Sequence, residues 1–233
     1  MRVLVTSASG FIGRALLGGL SRDPTLTIVG ASRGSDGLGD RAERVLIGDI
    51  SGHTDWSSAL SGVTSVVHRG ARVHVTDDKG ADTLALYRRV NVQGTLALAR
   101  QAARAGVKRL VFLSSIKVNG ESTSPCRPFT TNDDPAPQDS YGVSKLEAER
   151  GLRALAEKTG LEVVIIRPVL VYGPGVGANF LALMKLIRTG MLLPLGAIDN
   201  QRSFLALENL VDFVFASLRH PAAGNKTFLV SDG

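Results

Sequence analysis

The sequence is poor in cysteine: Cys126 is its single thiol among 233 residues. One cysteine cannot form an internal disulfide, so the chain is not built as a disulfide-stabilised secreted scaffold. This composition favours a protein of the reducing cytoplasm.

Long hydrophobic runs are also missing. The apolar run EVVII at 162–166 is flanked by charge, far short of the roughly 20 apolar residues that span a bilayer. The first residues, MRVLVTSASG, hold only a short apolar stretch and no small-residue cleavage site, which indicates a first strand and not a signal peptide. We expect no membrane segment.

No block of like charge occurs either. The formal net charge is +6, but lysine and arginine are spread along the chain, which argues against a nucleic-acid partner. A basic balance also suits small ligands that carry phosphate. His53, His74 and His220 lack the spacing of metal ligands, so no metal site is expected.

What the sequence does contain is 44% hydrophobic residues, enough for one large core, and an alternation of β-branched runs with segments of helical periodicity. The predicted strands are Val3 to Thr6, Thr27 to Ala31, Arg44 to Ile47, Ser65 to His68, Arg109 to Ser114 and Glu162 to Arg167. The helices between them include Ile12 to Ser21, Asp82 to Ala105 and Ser140 to Thr159. This order predicts an α/β fold over residues 1–173, a Rossmann-type doubly wound parallel sheet with helices on both faces.

After Pro174 the strand rhythm fades. Helices near Phe180 to Thr189 and Leu207 to Leu218 and a strand at Thr227 to Val230 predict a second, smaller lobe over residues 174–233. Because the chain stops directly after a strand, we expect this substrate lobe to be incomplete, in a short or truncated chain.

The stretch VLVTSASGFIG at 3–13 joins the first strand to the first helix. A dinucleotide-binding turn normally has three glycines, of which Gly10 and Gly13 are present and Ser7 replaces the first. Serine is tolerable there if its φ angle stays negative. The alternative is an ordinary strand-to-helix connection capped by Ser9.

A second pattern points to acid–base chemistry. The strand in RLVFLSSIKVNG ends at Ser114 and Ser115, and the later segment YGVSK places Tyr141 and Lys145 on one face of a helix. An ammonium beside a phenol favours the phenolate and is expected to lower the pKa of Tyr141 from about 10. Ser115 would then bind and orient the oxygen of a substrate hydroxyl or carbonyl.

Six segments occur in the order typical of one family: TSASGFIG, VVHRGA, VNVQGT, FLSSIKVNG, YGVSK and RPVLVYGPG. The chain thereby resembles the extended short-chain dehydrogenase/reductases, the NAD(P)-dependent epimerases, dehydratases and reductases of nucleotide sugars. The resemblance implies a nicotinamide cofactor across the strand ends and hydride transfer at C4 of a nucleoside-diphosphate sugar.

The resemblance also assigns residues. Its catalytic residues are Ser115, Tyr141 and Lys145. Its cofactor-binding residues are Ser7, Gly10, Phe11, Ile12, Gly13, Ser32, Arg33, Asp49, Ile50, His68, Gly70, Ala71, Asn91, Tyr141, Lys145 and Pro168. Its substrate-binding residues are Ser115, Asn179 and Arg202.

Several positions depart from the family pattern. Arg69 stands where a small or apolar residue is usual, and we expect its side chain to crowd the cofactor pocket. Ile116 and Lys117 replace the acidic pair of the dehydratases, so dehydration is not expected. Ala206 and Asn209 replace a histidine and an acidic residue that often follow the arginine, which leaves the finer substrate contacts open.

Cofactor choice rests on the end of the second strand, TIVGASRG. Its Ser32 and Arg33 suit a 2′-phosphate, and no carboxylate follows until Asp36, so the local chemistry leans toward NADP over NAD. The alternative is that Arg33 only solvates the loop.

Three functions remain open from the sequence. The first is an enzyme acting on a nucleotide sugar, either a 4-epimerase that retains NAD or a 4-keto-sugar reductase that exchanges NADPH. The second is a redox-sensing binding module on the same fold, and the third is an inactive, truncated family member. A homodimer is a further possibility.

Overall fold

A computed structural model of the chain describes residues 1–34, 42–70, 72, 81–123, 127–189 and 201–232. Its strands are β1 (Arg2–Thr6), β2 (Thr27–Ser32), β3 (Glu43–Leu46), β4 (Ser65–His68), β5 (Arg109–Leu113), β6 (Glu162–Pro168), β7 (Leu170–Tyr172), β8 (Phe204–Ala206) and β9 (Thr227–Val230). Its α-helices are α1 (Phe11–Leu20), α2 (Ala81–Tyr87), α3 (Thr95–Arg104), α4 (Ser140–Thr159), α5 (Ala178–Arg188) and α6 (Leu207–Arg219). No helix of the described ranges is both long enough and apolar enough to cross a bilayer.

The main sheet has seven parallel strands in the order β3-β2-β1-β4-β5-β6-β9. The order reverses between β1 and β4, the switch point at which doubly wound folds bind ligands beyond the carboxyl ends of their strands. The predicted α/β doubly wound sheet is therefore confirmed.

The sheet is buried on both faces, which explains why its strands are nearly continuous hydrophobic runs. Leu4 and Val66 point into a core shared with α3 and α4. Their neighbours Val5 and Val67 point into a second core shared with α1 and α6. The alternation of side chains along each strand thus supplies both layers.

The C-terminal segment corrects the expected division into lobes. Strand β9 pairs with β6 in the main sheet, and Val211 and Val214 of α6 are buried in the core that contains α1. Both elements therefore belong to the sheet domain and not to a separate lobe over 174–233. Strands β7 and β8 form a small second sheet of their own.

The long helix predicted over residues 82–105 is interrupted. A π-helical segment, Arg88–Gly94, separates α2 from α3. It brings the fully buried Asn91 into the interior beside α4. Such segments are frequent at functional sites.

Helix α4 begins and ends where the sequence predicts. Its N-cap is Asp139, whose Oδ1 accepts a hydrogen bond from the Gly142 backbone N–H at 2.6 Å. It ends at Gly160 with φ +73°, a left-handed conformation that glycine adopts without strain.

A buried ion pair joins the middle of α4 to the sheet. Arg167 Nη2 lies 2.6 Å from Glu149 Oε2, and the two side chains are 2% and 0% exposed. Ser114 donates to Glu149 Oε1 at 2.5 Å, and Arg167 Nη1 donates to Asn119 Oδ1 at 2.9 Å. The carboxylate is therefore neutralised and hydrogen-bonded, as a buried charge must be.

We expect Glu149→Ala to lower the free energy of unfolding by about 3–5 kcal/mol, because it leaves Arg167 buried without its counter-ion. The control is Glu147→Ala on the same helix, which breaks the more exposed pair with Arg88 and should cost much less. Urea unfolding of both variants measures the difference, and equal losses would contradict the importance assigned to the buried pair.

Candidate active site

The turn after β1 places Ser7 in an unusual backbone conformation. Its φ is +49°, in the left-handed region that favours glycine. The condition under which serine would be tolerated here without strain, a negative φ, is therefore not met. The position needs the conformation for which the family motif uses glycine, and the serine adopts it at some cost in backbone strain.

The same turn excludes the Ser9 cap. The N-cap of α1 is Gly10, with no side chain capping the helix and no acidic residue in its first turn. A Cβ at Gly13 would overlap the backbone oxygens of Ser7 and Ala8. The turn is thus a close-packed cradle in which no side chain caps the first backbone N–H groups of α1, an arrangement that fits the diphosphate of a dinucleotide.

Arg69 extends across this cradle from the end of β4. Its Nη1 donates to the Ser7 carbonyl at 3.1 Å, and a Cβ at Gly10 would overlap the same nitrogen. Arg69 thus occupies the space beside Gly10 with the end of a long side chain, and crowding of a bound cofactor stays a prediction.

Ser115 follows β5 and begins a short 3₁₀ turn, Ile116–Val118. Its Oγ accepts a hydrogen bond from the Lys117 backbone N–H at 3.2 Å. The Lys117 ammonium lies 2.5 Å from Asp139 Oδ2, at the start of α4. The serine turn and the N-terminus of the tyrosine helix are thereby tied together.

Tyr141 and Lys145 lie one turn apart on α4, as the spacing predicts. The Lys145 ammonium is buried, donates to the Leu113 carbonyl at 2.9 Å and lies 5.9 Å from the centre of the Tyr141 ring. Tyr87 meets Tyr141 edge-on, with ring centres 6.2 Å apart. The expected catalytic residues therefore come from two places: Ser115 from the turn after β5, and Tyr141 and Lys145 from α4.

The pKa values differ from the sequence expectation. Desolvation raises the pKa of Tyr141 to about 12, while the Arg69 charge and a hydrogen bond from Ser115 act in the opposite direction. Desolvation, followed by repulsion from Arg69, lowers the pKa of Lys145 to about 7, against the opposing effect of Glu149. The expected lowering of the Tyr141 pKa by Lys145 is thus not seen: burial of the phenol is the largest effect, and the positive charge that opposes it is that of Arg69.

Two predicted cofactor residues have structural roles. His68 is fully buried, with Thr6 Oγ1 at 2.8 Å from Nδ1 and Thr95 Oγ1 at 2.9 Å from Nε2, and desolvation lowers its pKa to about 3. Asn91 donates to Ser144 Oγ at 3.0 Å, which fixes the π-helical segment to α4. His68 therefore stays neutral, and both residues support the site through these hydrogen bonds.

The predicted adenosine end is more open. The hydroxyl of Ser32 is buried and donates to the Gly34 carbonyl at 2.5 Å, so it is already used within the turn. Arg33 Nη1 lies 3.3 Å from Asp49 Oδ1, with both side chains largely exposed. Ile50 packs against Gly70 and Gly94, where a Cβ would overlap it.

The remaining predicted residues are Pro168, Arg202, Asn179 and Ala71. Pro168 ends β6 next to Val230, and Arg202 is exposed just before β8. Asn179 lies in α5, but its side chain falls outside the described part of the structure, as does the whole of Ala71. These positions stay predictions.

Asn209 has a structural role that its sequence position did not reveal. Its Nδ2 donates to Asp232 Oδ1 at 2.7 Å, and Asp232 Oδ2 accepts from the Ala206 backbone N–H at 2.7 Å. Asp232 thereby fixes the start of α6, so the asparagine that replaces the usual acidic residue at position 209 has a structural role.

Sequence reasoning missed Glu149 and Arg167. The spacing of four residues between Lys145 and Glu149, and an arginine inside the hydrophobic run of β6, were the signals available. A charged residue in a buried strand requires a partner.

Comparison with known proteins gives a family. The model of the "NAD dependent epimerase/dehydratase family" matches residues 3–231. A UDP-glucose 4-epimerase of Vibrio cholerae is 49% identical over 236 residues, which cover 99% of this chain and 70% of that protein. The N-acetyl-alpha-D-glucosaminyl-diphospho-ditrans,octacis-undecaprenol 4-epimerase of Escherichia coli O157:H7 is 31% identical, over 97% of this chain and 66% of that protein.

Solved structures show the same fold. MoeE5 in complex with UDP-glucuronic acid and NAD superimposes with a TM-score of 0.83 at 29% identity, over 100% of this chain and 77% of that one. The UDP-glucuronic acid 4-epimerase of Bacillus cereus in complex with NAD gives a TM-score of 0.85 at 24% identity, over 100% and 79% of the two chains.

We expect Ser7→Gly to raise the free energy of unfolding by up to about 1 kcal/mol, because relief of the left-handed strain exceeds the added entropy of the unfolded chain. Ser9→Gly is the matched control. Ser9 has no positive φ, so glycine there should destabilise by about 0.5–1 kcal/mol. Denaturant unfolding measures both, and a loss of stability in Ser7→Gly would show that the serine makes a compensating contact.

Proposed function

The chain belongs to the NAD dependent epimerase/dehydratase family, and we propose that within it the chain is a 4-epimerase of a UDP-sugar that retains NAD throughout the reaction. The resemblance to the extended short-chain dehydrogenase/reductases is confirmed by this match. The relative named UDP-glucose 4-epimerase, at 49% identity, supports the substrate class. The observation that carries the proposal is the arrangement of Ser115, Tyr141 and Lys145 beside the glycine turn.

Each of the three side chains has a distinct part in the proposal. Tyr141 accepts the proton of the sugar C4 hydroxyl in its phenolate form, which the Arg69 charge and the Ser115 hydrogen bond favour, and later returns that proton. Ser115, whose hydroxyl interacts with the Tyr141 phenol, holds the same sugar oxygen. Lys145 supplies a buried ammonium behind the phenol and would contact the nicotinamide ribose.

A bound nicotinamide would supply the hydride acceptor and donor that the side chains lack. Gly10, Phe11, Ile12 and Gly13 would hold its diphosphate at the N-terminus of α1. Asp49 and Ile50 would meet the adenine, above Gly70.

The adenosine end supports NAD over NADP. The Asp49 carboxylate lies next to Arg33 and would repel a 2′-phosphate while it competes for the guanidinium. The hydroxyl of Ser32 is already bonded within its turn. Ser32 and Arg33, on which the sequence-based preference for NADP rests, thus already interact with other groups of the protein.

Dehydration is disfavoured by charge. Lys117, at a position where dehydratases have an acidic residue, is engaged with Glu121 and Asp139. It supplies no carboxylate for the elimination of water.

The remaining expectations belong to the same proposal. Arg202 would bind the diphosphate of the sugar nucleotide, with Asn179 nearby. A cytoplasmic location rests on the single cysteine, and a homodimer would be detected by analytical ultracentrifugation.

We expect purified protein to convert UDP-glucose to UDP-galactose, and Tyr141→Phe to lower this turnover by roughly 10²- to 10⁴-fold, the contribution of a positioned acid–base group. The variant keeps the ring and therefore its packing. The measurement is the initial rate of product formation, with folding checked by circular dichroism.

Tyr172→Phe is the control, since it removes a phenol hydroxyl from the aromatic cluster with Phe180 and Phe204 and should leave the rate unchanged. Turnover equal to the parent's in Tyr141→Phe would refute the assigned role. No turnover in the parent would favour the redox-sensing or inactive alternatives.

A further inference from the structure

Arg69 is a cation whose position the fold itself does not explain. Its backbone N–H donates to Thr6 Oγ1 at 3.2 Å, which fixes the start of the side chain at the end of β4. The guanidinium then reaches the turn after β1, where its one hydrogen bond to the described residues is to the Ser7 carbonyl.

The surroundings of this guanidinium are positive. Lys145 and Arg69 repel each other closely enough for Arg69 to contribute to the lowered pKa of Lys145. Within the described ranges, no carboxylate lies at ion-pair distance from Arg69. The Tyr141 phenol acts to raise the pKa of Arg69, but its own pKa of about 12 keeps it protonated at neutral pH.

Helix α1 makes the position still less favourable. Arg69 Nη1 lies against Gly10, the N-cap of the helix. The N-terminus of a helix carries partial positive charge and favours anions over cations. Two positive groups therefore converge on one small volume. Burial of the guanidinium also lowers the pKa of Arg69.

We propose that Arg69 is a diphosphate-binding residue of the cofactor site. Its guanidinium exchanges the Ser7 carbonyl for the diphosphate oxygens, which then lie between two sources of positive charge, the guanidinium and the first turn of α1. This inference rests on the proposed function, because it requires a dinucleotide in the glycine turn.

The chemistry of the side chain fits this exchange. A guanidinium presents five donors in a planar fork that suits phosphate oxygens, and hydrogen bonds between charged groups are about twice as strong as neutral ones. Only the end of a flexible side chain has to move to admit the ligand, since the atom that a Cβ at Gly10 would overlap is Nη1 of Arg69.

The opposite interpretation is that Arg69 obstructs the cradle. The two interpretations predict opposite signs for the change in affinity when the guanidinium is removed. Calorimetric titration of the full chain with ADP-ribose, which carries the diphosphate, and with adenosine, which does not, separates them without any measurement of turnover.

We expect Arg69→Leu to weaken ADP-ribose binding by about tenfold to a hundredfold, the loss of one or two charge-assisted hydrogen bonds. Adenosine binding should stay unchanged, and the weakening of ADP-ribose binding by added salt should become less steep. Arg22→Leu is the matched control, because it removes the same charge from an exposed position just beyond the other end of α1.

Tighter or equal ADP-ribose binding in Arg69→Leu would overturn the inference and leave the proposed function intact. Absence of ADP-ribose binding in the parent would overturn both. If Arg69→Leu does not fold, Arg69→Lys replaces it. That variant should bind ADP-ribose several-fold more weakly than the parent, because an ammonium lacks the planar fork, and equal or tighter binding would again overturn the inference.

Discussion

The buried pair between Glu149 and Arg167 is the constraint on which the geometry of the site depends. Glu149 receives hydrogen bonds from Arg167 in β6 and from Ser114 at the end of β5. Lys145 lies one helical turn before Glu149, and Tyr141 one turn before Lys145. The Glu149 carboxylate thereby holds α4 against the end of β5. It fixes the helix face that carries Tyr141 and Lys145 relative to Ser115. The cost of desolvating two charges is offset by the three hydrogen bonds to Glu149, which also set the register of α4, and by the hydrogen bond from Arg167 to Asn119.

The electrostatics of the site form a second theme. Lys145, Arg69 and the N-terminus of α1 all contribute positive charge to one edge of the sheet, and His68 adds none because desolvation holds its pKa at about 3. Burial, followed by repulsion from Arg69, lowers the pKa of Lys145, and burial keeps the phenol of Tyr141 protonated. An anionic ligand would relieve the repulsion between the cations. Arg69 thus connects the proposed diphosphate site with the lowered pKa of Lys145, of which burial is the larger cause.

Much of this structure could be predicted from the sequence, because strand and helix periodicities are local properties. The main-sheet strands β1 to β6 lie within two residues of their predicted bounds, and helix α4 begins and ends as expected. Three features could not be predicted. The positive φ of Ser7 depends on packing of the turn against Gly13. The π-helical segment around Asn91 depends on contacts with Ser144. The pairing of β9 with β6 depends on long-range packing of α6.

In the site, the residue types of Ser115, Tyr141 and Lys145 were evident from the sequence. The pKa of Tyr141 was not, because desolvation is a property of the whole fold.

The central claim is that the site oxidises and reduces the same sugar carbon with a nicotinamide that stays bound. It is tested most directly with UDP-glucose deuterated at C4, incubated with the purified protein and no added cofactor, and analysed by mass spectrometry and NMR. The account predicts UDP-galactose that retains the deuterium at C4, because the hydride is returned to the carbon it left. Conversion that requires added NADPH, or product that has lost the deuterium, would contradict it and identify a reductase that exchanges its cofactor.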